Sequence, residues 1–274
     1  MATQAAALTR SITPSSAGVI LPAFTLWWRE IVRFYRQPGR VVGVLASPLV
    51  FWLVLGSGFG NSFRSTGGAQ QHYLDYFYPG TLILIVLFTS IFTMMSVIED
   101  RKEGFLLSVL VAPVPRTAIV LGKVVGGTTL AAVQGMIFLI FAPFAGVHLH
   151  PIQVLLVAVV VFLVSFSLTA LGFAIAWPMD SSQAFHGIVN LFLIPLWLLS
   201  GALFSLDGAA GWIRAIMHLN PLTYGVAALR WLLYPTQDNS FAVESAMATL
   251  VLFSLVTFAL ALLMANRRTT RPAA

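Results

Sequence analysis

"IEDRKEGFLLSVLVAPVPRTAIVLGK", residues 98–123, is the most charged stretch of an apolar chain. The 274 residues carry 15 Lys and Arg and 9 Asp and Glu, and seven of these fall here: Glu99, Asp100, Arg101, Lys102, Glu103, Arg116 and Lys123. On either side lie long hydrophobic runs. The chain is 58% hydrophobic and only 9% charged, whereas soluble domains carry about 25% charged residues. With so few polar side chains to face water, lipid must be the solvent for most of it, and the charged stretch is a loop between spans. Cysteine is absent, which excludes disulfides, thiolate chemistry and cysteine-ligated metal.

Six runs are long enough to cross a hydrocarbon core, which takes about 20 apolar residues of helix. They fall at 41–59, 80–98, 124–146, 152–177, 185–206 and 245–265. In lipid each backbone must close its own hydrogen bonds, so these are helices. Pro48, Pro143 and Pro195 lie inside them as kinks. If the spans alternate, one side receives Arg10, Arg29, Arg33, Arg36, Arg40, Arg101, Lys102, Arg116, Lys123, Arg267, Arg268 and Arg271. The other receives only Arg64, Arg214 and Arg230. Positive charge collects in the cytoplasm, so both termini are expected there, and the net charge of +6 needs no nucleic acid. The N-terminus does not resemble a cleaved leader. Arg10 is its only early positive charge, and the weak apolar core "SAGVILPAFTLWW" runs into an Arg-rich segment.

Residues 207–235 are also apolar, but as a seventh span they would bury Arg214 or Arg230. Asn220 and Pro221 divide them into two short helices, expected as a re-entrant hairpin in the outer leaflet. Near the N-terminus, "FTLWWREIVRFYR" (24–36) places Phe24, Trp27, Trp28, Ile31, Val32, Phe34 and Tyr35 on one arc. Arg29, Glu30, Arg33 and Arg36 lie opposite. That division describes a helix in the headgroup plane. In the opening stretch Phe105, Leu106, Val109 and Leu110 share the face of a short helix, which "APVPR" (112–116) stops because proline cannot continue its hydrogen bonding.

Chemical motifs are missing. There is no phosphate-binding G-x-x-x-x-G-K-[ST], no H-E-x-x-H and no G-x-S-x-G. His148 and His150 read as a wet pair at a span end, and His72, His186 and His218 as single structural or solvated residues. No catalytic, cofactor-binding or metal-ligating set is expected. The span cores carry essentially no ionisable side chain, His186 and Lys123 lying at edges, which argues against a proton- or sodium-coupled carrier. The residues describe a transport path without an energy source, and leave open an ATP-independent channel or carrier, or a membrane scaffold.

Four ordered patterns resemble the membrane subunit of type-2 ABC exporters, the group that includes drug-resistance, nodulation-factor and polysaccharide exporter permeases. These are the opening stretch, "FYPGTLILIVL" (77–87), "LFLIPLWLLSGALFSL" (191–206) and "NPLTYGVAALR" (220–230). Ser205 stands where the family often has proline, and Ala227 and Ala228 where an acidic residue is frequent. The resemblance implies an all-α integral membrane fold: six transmembrane helices, an interfacial helix (22–37), a cytoplasmic coupling helix (99–111) and an external hairpin (207–235). A flexible segment 1–21 and a cytoplasmic tail 267–274 would flank the permease domain of 22–266. It implies export of an amphipathic or lipid-like substrate across a bacterial-type inner membrane. Two copies of a separate ATPase subunit would hold the ATP and Mg, and a second permease copy or a paralogue would complete the pore. ATPase coupling would fall to Glu99, Asp100, Arg101, Glu103, Gly104, Phe105 and Leu106. Trp27, Trp28, Arg29, Arg33 and Arg36 would serve the interfacial helix, and Asn220, Pro221 and Arg230 the hairpin.

Overall fold

The computed structural model describes residues 18–59, 73–147, 149–206, 208–235 and 241–267. The readings of Arg10, Arg64, His72, His148, Arg268 and Arg271 lie outside the described residues, as do most of segment 1–21 and all but the first residue of the tail. Every regular element among the described residues is a helix. In chain order they are α1 (Ile20–Tyr35), α2 (Pro38–Phe59), α3 (Tyr73–Thr93), α4 (Met95–Lys102), α5 (Phe105–Val111), α6 (Arg116–Phe138), α7 (Pro151–Ala176), α8 (Ser182–Ile188), α9 (Ile194–Trp197), α10 (Gly211–Leu219), α11 (Pro221–Leu233) and α12 (Val243–Asn266). A 3-10 stretch, Leu139–Ala145, extends α6, and wider π turns at Val189–Leu193 and Leu198–Ala202 flank α9.

Five helical segments are long and apolar enough to cross a bilayer: Tyr73–Lys102, Arg116–Ala145, Pro151–Ala176, Ser182–Ala202 and Val243–Asn266. α2, expected as a sixth crossing, has a shorter apolar part, Ala46–Gly58. The protein is a multi-pass, all-α membrane protein.

Hydrogen bonds fix the alternation. At one end Tyr73 donates to the Leu203 carbonyl (3.3 Å), Tyr234 to Ala145 (2.9 Å) and Trp52 to Leu74 (3.0 Å). At the other end Arg116 donates to the Ala265 carbonyl at 2.7 Å, so α6 begins where α12 finishes. The described chain therefore starts, with α1, and ends, with α12, at the same end of the bundle.

Three boundaries differ most from expectation, the first being the start of the second span at Tyr73, not 80. The second span reaches Lys102, and the third begins at Arg116, not 124. The expected helix 99–111 is in fact two elements. Gly104 separates them with φ of +78°, a left-handed conformation that glycine adopts without the Cβ penalty. Glu103 N–H and Gly104 N–H close the α4 end on the Glu99 (2.9 Å) and Arg101 (3.2 Å) carbonyls. Pro113 and Pro115 then end α5, with Ala112 extended (ψ 155°) as the residue before a proline prefers.

The fifth span is broken. Pro195 lacks the N–H its turn needs, π turns bracket it, and Gly201 (φ +79°) ends it. Beyond it, α10 has 9 residues and α11 has 13, about 14 and 20 Å at 1.5 Å per residue. Neither crosses the membrane.

Candidate functional site

α1 lies on α6 because α6 offers no side chain beneath it. A Cβ on Gly122 would stand 2.6 Å from Leu26 Cβ and 2.8 Å from the Ala23 carbonyl oxygen. One on Gly126 would meet Glu30 Cβ at 3.0 Å. Small residues four apart let two helix backbones approach closely. Trp27 Nε1 adds a hydrogen bond to Thr129 Oγ1 at 3.1 Å.

This contact turns the charged arc of α1 toward the protein. Glu30 is 4% exposed, while Phe24, Trp28, Tyr35 and Arg36 face outward. Lys123, read from the sequence as an edge residue, is 1% exposed, and Asp100 is fully buried. Lys123 Nζ donates to Glu30 Oε1 at 2.6 Å, to Ser96 Oγ at 3.0 Å and to Asp100 Oδ2. Ser96 Oγ–H in turn donates a hydrogen bond to Glu30 Oε2 at 2.7 Å. Arg29 grips Asp100 through both terminal nitrogens (2.8 and 2.6 Å), and Arg33 joins Asp100 (2.8 Å) to Glu99 (2.7 Å). Three cations meet three carboxylates, so buried charge is compensated as burial demands. The hydrogen bonds to Asp100 hold the Arg29 guanidinium above its already high range, against the pull of partial burial.

The sequence reading offered the charges and apolar face of 99–106 to an outside partner. Glu99 and Asp100 instead pair within the chain. Phe105 lies under Arg29, whose guanidinium carbon is 3.8 Å from the ring centroid, and Leu106 is buried. Arg101 reaches the end of α7, donating to the carbonyls of Trp177 and, at 3.0 Å, Met179. Glu103 remains exposed, with only a 3.8 Å approach to Arg33. What α5 turns outward is Leu107 (61% exposed) and Val111 (88%). Neither was singled out in the sequence. The sequence reading followed the opposite face, that of Phe105, Leu106, Val109 and Leu110.

At the opposite end Asn220 Oδ1 caps α11 at the Leu222 N–H (3.0 Å) and its amide donates to the Leu196 carbonyl (2.6 Å), while Pro221 takes the first helical position. Arg230, expected to face headgroups or a pore exit, turns inward. It donates to the Gly201 carbonyl at 2.6 Å and lies 4.0 Å over the Tyr76 ring, whose hydroxyl donates to the same carbonyl at 3.2 Å. The broken end of the fifth span supplies that acceptor because its carbonyls lack helical partners. His150 sits at the N-cap of α7, boxed with Gln153.

A helical bundle with five long apolar helices, a buried ion cluster at one end and two short helices at the other is a polytopic membrane protein. The ABC-2 type transporter family matches residues 23–234, and the chain belongs to that family. It is thus a transmembrane subunit of an ABC transporter and pairs with an ABC ATPase subunit. It is similar to the transport permease ycf38 of Cyanophora paradoxa, at 26% identity over 92% of this chain and 91% of that one. Two further relatives are the daunorubicin resistance ABC transporter permease protein DrrB1 of Streptomyces coeruleorubidus (25%; 81% of this chain, 78% of that one) and the inner membrane transport permease YadH of Escherichia coli K12 (27%; 76% and 80%).

Proposed function

We propose that this chain exports an amphipathic or lipid-like substrate (a drug, lipid or glycan-lipid) across an inner membrane, driven by ATP hydrolysed on two separate ATPase subunits. Two permease copies, or this chain and a paralogue, would form the pore, with both termini cytoplasmic and the α10–α11 hairpin outside. ATP and Mg belong to the partner. Support for the orientation comes from the cations at the α1–α5 end: Arg29, Arg33, Arg36, Arg101, Lys102, Arg116 and Lys123. Outward transport of an amphipath draws on the similarity to the daunorubicin resistance permease of Streptomyces coeruleorubidus.

The observation that carries the reading is α5. A seven-residue helix released from α4 by Gly104, beyond the end of the spans, exposes Leu107 and Val111. An apolar anchor filling a partner's pocket is worth about 2 kcal/mol or more, whereas an exposed ion pair is worth about 0–1 kcal/mol. Leu107→Asp and Val111→Asp should therefore weaken binding of the ATPase by about 30-fold or more, and Glu103→Ala should leave it nearly unchanged. Co-purification in mild detergent reads the difference. Wild-type retention by both aspartate variants would rule α5 out as the docking element.

A further inference from the structure

Five of the seven charges of 98–123 (Glu99, Asp100, Arg101, Arg116 and Lys123) bond to three other helices. Through Asp100 and Glu99 the segment holds α1. Arg101 holds the end of α7: besides the Trp177 and Met179 carbonyls, it meets Asp180 Oδ1 at 3.1 Å and its guanidinium lies 5.7 Å from the Trp177 ring centroid. Arg116 holds the end of α12, donating to the Ala265 carbonyl at 2.7 Å and approaching the Arg267 carbonyl at 3.5 Å. The last carbonyls of a helix lack intrahelical partners and carry the negative end of its dipole. Arginine answers both needs, and at Arg101 its rigid fork reaches acceptors through both terminal nitrogens, a geometry lysine cannot copy.

We infer that Arg101 and Arg116 are positioning residues that make α4, α5 and the start of α6 a yoke, through which a push on α5 is shared among α1, α7 and α12. This rests on the reading of α5 as the ATPase-docking helix. α7 and α12 both run on to the hairpin end. Gln153 of α7 donates to the Leu232 carbonyl of α11 at 3.5 Å, so a displacement entering at Arg101 is delivered beside the hairpin. Without the arginines, α5 would move and the far end would not follow.

The chain has no cysteine, so spin labels can be placed singly or in pairs. In the full-length permease without ATPase, labels at the exposed Lys102 and Gln183 should give one narrow distance, and Arg101→Met should broaden it. That arm tests the tether independently of docking. In the complex with its ATPase, labels at Trp212 and Leu155 should shift on addition of ATP. Arg101→Met and Arg116→Met should bind the ATPase and hydrolyse ATP as wild type does, yet lose that shift. A generally weakened structure would lower binding and hydrolysis together instead. Arg101→Lys keeps the charge without the fork and gives the same reading should the methionine variant fail to accumulate. A narrow 102–183 distance in Arg101→Met, or a wild-type ATP shift in both methionine variants, overturns the yoke. Loss of ATPase binding by Leu107→Asp bears on the docking helix alone.

Discussion

Lys123→Met should leave little folded permease in the membrane. The substitution removes the ammonium between two buried carboxylates and leaves the cluster with two cations against three anions. Asp100 keeps Arg29 and Arg33, but Glu30 retains only Ser96 and a 3.4 Å approach from Arg29. Leaving a buried charge without its partner costs about 3–5 kcal/mol, a large share of the roughly 5–15 kcal/mol that holds a domain folded. Adding Glu30→Gln restores two against two, so the double variant should recover much of the loss. Yield by size-exclusion chromatography and melting temperature in detergent measure both. A single variant that melts like wild type, or a double variant worse than the two single changes combined, would show that the cluster does not hold the fold.

An equally large effect is expected from Gly122→Leu. Two of the three nearest atoms it meets are backbone, the Ala23 carbonyl oxygen at 2.8 Å and Cα at 3.4 Å, and backbone cannot rotate away. α1 must lift from α6, taking Leu26, Phe34 and the ion cluster with it. Gly187, which has nothing within 4 Å of a built Cβ, is the control: Gly187→Ala should be neutral, or stabilising by up to about 1 kcal/mol for a glycine inside a helix. Leu26→Cys reports the displacement, because that site is buried. It should resist maleimide in an otherwise wild-type chain and react in the Gly122→Leu background. Continued protection there would mean that α1 stays docked and the close approach is dispensable.

The five long spans were legible because lipid imposes one crude requirement, length of apolar helix, and composition reports it directly. The site was less so. Polarity placed Glu30 correctly on the charged arc of α1, but no wheel shows that an arc faces a lysine 93 positions away. Residues 99–102 and 116–123 were left outside the spans because unpaired charge is expelled from a bilayer end, and pairing between distant helices cancelled that expulsion. One signal was present and unused: Gly122 and Gly126 frame Lys123, a close-packing spacing wrapped around a charge. At the hairpin, Arg230 was read from its sign alone. Its partner is a carbonyl freed by Gly201, and backbone acceptors leave no mark in a sequence beyond the glycine and proline that free them.

The span of 93 residues between Glu30 and Lys123 also sets an order of events during synthesis. When α1 and α2 have left the ribosome, none of Ser96, Asp100 or Lys123 yet exists, and Glu30, Arg29 and Arg33 have only water to face. The aromatic arc of α1 can hold it at the bilayer surface meanwhile, charged side outward. Only after the hairpin of α3 and α6 has inserted can the helix roll about its axis and close the cluster. A nascent chain stopped before residue 123 should keep a probe at Leu26 accessible, and one extended past α6 should not. α1 is made before α3 and α6 and must wait for both before it can reach its place.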